Sequence, residues 1–132
     1  RYEEVLALDA SAAVAGNNLA WLLADSGENL DRALDLARAA VAAVPNKPEI
    51  MDTLGWVYYK KQQPTMAIPL FQRSSELHPT NGVYHYHLGL AHNMAGDSAK
   101  ARSAFQQALK AGTDANTAAE IKGLLAKAGT AQ

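Results

Sequence analysis

The chain has 132 residues with 12 basic and 13 acidic side chains, a net charge of −1, and no cysteine. One domain's worth of chain with no basic block disfavours nucleic acid as a partner. Without cysteine there are no disulfides, thiolate metal sites or Cys nucleophiles, so the redox compartment stays open.

Taken in chain order, the elements read as helices throughout. "YEEVLALD" predicts a first helix over residues 1–10, with Glu3 and Glu4 near its start, where acids suit the dipole. "AVAGNNLAWLLADSG" and "LDRALDLARAAVAAV" follow, then "PEIMDTLGWVYYKK" and "PTMAIPLFQRSSELH", then "GVYHYHLGLAHNMAG" and "DSAKARSAFQQALKAG". Pro48 and Pro64 suit first-turn positions, where a missing N–H is not needed. Gly27, Gly96 and Gly112 suit helix ends. Pro69 falls in the second turn of its helix, where it should stretch a hydrogen bond or bend the axis. "TAAEIKGLLAKAG" closes the chain, and Thr117 with Glu120 reads as its capping box. No apolar run reaches the length of a membrane span, so direct membrane insertion is not expected. The start lacks an initiator Met and reads as a fragment of something longer; any targeting segment would lie upstream.

The helices repeat. Leu54 and Leu88, Gly55 and Gly89, Ala67 and Ala101, Phe71 and Phe105, and Ser74 and Ala108 are each 34 residues apart, as are Pro45 and Pro79. Leu19 and Ala20 precede Leu54 and Gly55 by 35, which places one extra residue in the "ADSGENLD" turn. Met51, Leu54, Gly55 and Tyr58 share one helix face at i, i+3, i+4, i+7. A small residue on that face admits the paired helix, with Ala67, Phe71 and Ser74 opposite. A mid-helix glycine costs about 1 kcal/mol relative to alanine, so close contact has to offset that amount.

This pattern resembles the tetratricopeptide repeat (TPR) over almost the whole chain. The slots that depart from it hold Gly16, Met51 and His85 at the opening position, and Ala10 and Thr113 at the terminal proline position. The resemblance implies an all-α, right-handed superhelical solenoid of antiparallel helix pairs with about eight helices. Its divisions would be 1–10 (the second helix of a truncated preceding repeat), 11–45, 46–79 and 80–113 (three units), and 114–132 (a capping helix and tail). It also implies that the first helix of each unit lines a concave groove. The face in question carries Val14, Asn17, Trp21 and Ala24 in the first unit. It continues with Glu49, Asp52, Trp56 and Tyr59 in the second, and Val83, Tyr86, Leu90 and Asn93 in the third. Trp21 and Trp56 fall in the same slot of adjacent units and should stand about one repeat apart. Half-exposed aromatics in a concavity offer large contact area at low entropic cost. Packing between units is the competing role for the same rings.

Some members of the family clamp a chaperone's terminal carboxylate with Lys, Asn and Arg. Here that face offers Asn17, Asp52, Tyr86 and Asn93, and Glu49 and Asp52 would repel an acidic tail. An apolar or mildly basic segment, or a helix, is the better match. His78, His85, His87 and His92 cluster, but His85 and His92 fill slots usually given to packing aromatics and His87 lies on another face, so no metal or cofactor is expected. No catalytic constellation emerges, and an enzyme is not expected. The expected function is therefore a protein–protein interaction scaffold holding a partner protein or peptide. The alternative is a structural spacer or a self-association element, driven by Tyr2, Val5 and Leu6 on the unpaired first helix. A finer likeness links "NNLAWLLADSGENLDRALDLA" and "YHYHLGLAHNMAGD" to bacterial TPR proteins of exopolysaccharide assembly and export, which makes saccharide binding a minor reading.

Overall fold

A computed structural model describes the backbone of residues 2–130 and the side chains of residues 10–127. Among the described residues seven helices follow one another: α1 (Tyr2–Ser26), α2 (Leu30–Ala43), α3 (Pro48–Lys60), α4 (Pro64–Leu77), α5 (Gly82–Met94), α6 (Ser98–Ala111) and α7 (Ala115–Thr130). The described residues contain no strand. About eight helices were expected, and the count falls to seven because α1 runs unbroken through the expected junction near residue 10. The terminal proline slot holds Ala10 there, and "DASAAVA" offers no breaker among good helix formers. The side chains of Tyr2, Glu3, Glu4, Val5 and Leu6 lie outside the described residues.

Successive helices pair as antiparallel hairpins: α1 with α2, α3 with α4, and α5 with α6. In addition α1 packs on α3 and α3 on α5, so the array curves with the odd-numbered helices on the inside. The glycine seam is where the hairpins close. A Cβ added at Gly55 would sit 2.6 Å from Phe71 Cε1, and one at Gly89 would sit 2.5 Å from Phe105 Cδ1. In the first unit the same two slots hold Ala20 and Ala37, both fully buried. A small ring-free pair thus replaces the glycine–phenylalanine pair. Ser74, also fully buried, donates its hydroxyl to the Pro48 carbonyl at 2.9 Å, tying α4 to the start of α3.

Local chemistry sets the helix ends. Gly27, Gln62 and Gly96 occupy matching positions after α1, α3 and α5, and all three have positive φ. After α3, the Gln63 N–H bonds the Tyr58 carbonyl and the Gln62 N–H bonds that of Tyr59; Asp97 and Gly96 repeat the pattern on His92 and Asn93. These are Schellman closures that satisfy the last carbonyls. Asn29, Asn81 and Asp97 cap the helices that follow them. The last helix starts earlier than its sequence suggested. Asp114, rather than Thr117, is the cap, accepting from the Thr117 backbone N–H at 2.8 Å and its hydroxyl at 2.9 Å. Glu120 is thereby free to reach another helix. Helix α4 continues through Pro69 without interruption.

Candidate functional site

The inner faces of α1, α3 and α5 enclose a cleft of about 440 Å³. Helix α1 contributes Asn17, Asn18, Trp21 and Leu22; α3 contributes Glu49, Asp52 and Thr53; α5 contributes Tyr84. Asn17, Trp21, Glu49 and Asp52 belong to the face read from the sequence, and they converge here. Trp21 is half-buried and Leu22 is 65 % exposed, so the α1 wall presents apolar surface. Glu49 is exposed, 3.6 Å from Lys47, a surface pair of small energetic weight. The Thr53 hydroxyl is already committed to the Glu49 carbonyl at 3.0 Å.

Behind the cleft lies a stack of rings. Trp56 stacks on Trp21 (centroids 5.5 Å apart), on Tyr59 (5.2 Å) and on His87 (4.5 Å). Lys60 Nζ lies 5.5 Å from the Trp56 ring. Trp56 is consequently only 9 % exposed, with its ring packed against both Trp21 and Tyr59. The two indoles were expected to stand a repeat apart. Curvature brings the inner side chains together, and they touch. Tyr59 and Tyr86 are half-buried further along, where Tyr86 donates its hydroxyl to Glu120 of α7 at 2.6 Å. Burial and then the Glu120 carboxylate raise the phenol pKa of both tyrosines above the ordinary range. Leu90 is half-buried against the core and Val83 and Asn93 are exposed; these three, like Trp56, Tyr59 and Tyr86, do not line the cleft.

Two inner residues fall outside the stripe read from the sequence, one of them His87, which that reading set on another face. His87, 4 % exposed, bonds both oxygens of buried Asp52 through Nδ1, at 2.8 and 3.0 Å. The ring nitrogen donates and the carboxylate accepts, so α5 is fastened to α3 by a buried polar contact. Tyr84 sits one turn before it and closes the cleft. Burial, then the nearby Asp52 and Glu49 carboxylates, push its phenol up to about 12. The available signal was their i, i+3 spacing on the flank of the expected stripe. Among the described residues, the buried Trp56 Nε1 and Asn17 Oδ1 have no hydrogen-bond partner.

The remaining histidines pack elsewhere. His85 Nε2 lies 2.8 Å from the Pro79 carbonyl, and buried His92 has its pKa lowered by desolvation, partly offset by Asp97. Among the described residues no group of three His, Cys, Asp or Glu side chains is placed to hold a metal ion. Nor is any described helix long and apolar enough to cross a membrane.

A sequence model of the tetratricopeptide repeat matches residues 53–129, more than half of the chain. The chain belongs to the tetratricopeptide repeat family. TPR arrays are helical protein-interaction scaffolds, and the solved structures agree on the fold. The type III secretion translocator chaperone SycD of Yersinia enterocolitica superposes with a TM-score of 0.83 at 14 % identity, covering 93 % of this chain and 96 % of that one. SycD in complex with a peptide of the translocator YopD gives 0.78 at 15 %, covering 88 % and 91 %. The Sgt2 TPR domain from Aspergillus fumigatus gives 0.77 at 19 %, covering 89 % and 77 %. No curated protein matches the chain significantly.

Proposed function

We propose that this TPR array binds a segment of a partner protein on the inside of its curve, with Trp21 and Tyr59 as the contacting rings and Trp56 as their support. The observation that carries this reading is the cleft itself: Asn17, Trp21, Glu49 and Asp52, from two different helices, meet around one concavity with a half-exposed indole on its wall. Aromatic rings held rigid by packing lose little entropy when a ligand covers them. A SycD structure that contains a YopD peptide has the same fold, which is consistent with a peptide-sized guest. The activity proposed is binding, without catalysis, and the units follow the repeat register at 11–45, 46–79 and 80–113.

The test is a selection of random 12-residue peptides displayed against the chain. Selected peptides should bind with affinities on the order of micromolar. Binding should be lost in the Trp21→Ala/Tyr59→Ala variant while circular dichroism shows its helices intact. Undiminished binding by that variant would move the docking site off the inner face. Concentration-dependent dimerisation that masks Trp21 would instead favour a self-association element.

A further inference from the structure

The geometry points to an arginine side chain of the partner as the occupant of the cleft between α1 and α3. This rests on the inner-face docking site proposed above and gives its ligand a chemistry. The lining is acceptor-rich and unbalanced in charge: Glu49 and Asp52 contribute two carboxylates, and no lining residue is basic. His87 bonds Asp52 alone, and Glu49 is met only by Lys47 at 3.6 Å, an exposed surface pair of small energetic weight that leaves the Glu49 carboxylate open to a second cation. Tyr84 lines the same cleft as both carboxylates.

The α1 wall adds apolar surface from Trp21 and Leu22 beside the amides of Asn17 and Asn18. Arginine matches both walls at once. Its stem covers apolar surface, its planar guanidinium stacks on an indole, and its five N–H donors with no acceptor suit a carboxylate-lined floor. Lys60 shows how the chain itself places a cation over Trp56, and no cation of the described residues lies over Trp21. A lysine ammonium would meet the charge but not the flat stacking surface. An acidic segment would be repelled.

The experiment uses the peptides selected on the whole chain. They should be enriched in arginine. Replacing that arginine by citrulline, which keeps the shape and removes the charge, should weaken binding at least tenfold. Glu49→Gln, a change at an exposed side chain, should weaken the arginine peptide about as much while leaving the citrulline peptide unaffected. Selected peptides that depend on Trp21 but contain no basic residue would overturn the arginine assignment and leave the docking site standing. So would equal binding of the arginine and citrulline forms. Failure to select any Trp21-dependent peptide would overturn both.

Discussion

Replacing Gly55 by alanine is the sharpest probe of how the hairpins close. The new methyl would lie 2.6 and 2.8 Å from Phe71 Cε1 and Cδ1. Carbon atoms pack at about 3.5–4.0 Å, so the ring has to retreat by roughly 1 Å. Phe71 is fully buried and cannot swing into solvent. Overpacking of this kind costs about 1–3 kcal/mol, while alanine regains about 1 kcal/mol of helix propensity. The expected net effect is destabilisation of about 0–2 kcal/mol. Gly123 supplies the control, because it lies inside α7 and a Cβ there meets nothing within 4 Å. Gly123→Ala should therefore stabilise, by up to about 1 kcal/mol. Urea unfolding followed at 222 nm should separate the two variants, and Phe71→Leu should shrink the cost of Gly55→Ala. Equal stabilisation by both alanines would refute the account of the seam.

Three further outcomes follow. Gln62 adopts φ 60 where Gly27 and Gly96 stand in matching positions; Gln62→Gly should raise stability by about 0.5–1 kcal/mol in the same assay, less than the αL strain because glycine also loosens the unfolded chain. Trp56→Ala, emptying a site 9 % exposed, should cost about 3–5 kcal/mol, whereas Trp21→Ala should cost clearly less in thermal melts. Tyr84 has a raised folded-state pKa, about 12 against an ordinary 10.0. Its contribution to stability is thus intact below pH 10 and is lost as pH climbs from 10 toward 12; Tyr84→Phe should flatten that alkaline decline, and Glu49→Gln should lower the phenol pKa read at 295 nm.

The repeat register was legible in the sequence because it depends on contacts within one hairpin. Gly55 against Phe71 is a spacing argument, and the Phe71 ring does lie against Gly55. The fused α1 was not legible: nothing in "DASAAVA" encodes a break, and the two expected helices differ only by repeat bookkeeping. The cap of α7 was misplaced because Thr117 and Asp114 both fit an N-cap, and the choice turns on where the chain leaves α6. The inner face was half legible. Helical periodicity finds the side chains that point inward from one helix, such as Asn17 and Trp21. It does not give the curvature between helices, and curvature is what stacks Trp21 on Trp56 and brings His87 and Tyr84 of α5 to Asp52 of α3.

The central claim is that a partner segment lies against Trp21 on the inside of the curve. Fluorine NMR of the chain labelled with 5-fluorotryptophan tests it most directly, because two indoles give two signals. On titration with a selected 12-residue peptide, the Trp21 signal should move strongly and saturate with binding, and the Trp56 signal, shielded beneath it, should move little. Saturable binding that leaves the Trp21 signal in place would contradict the claim.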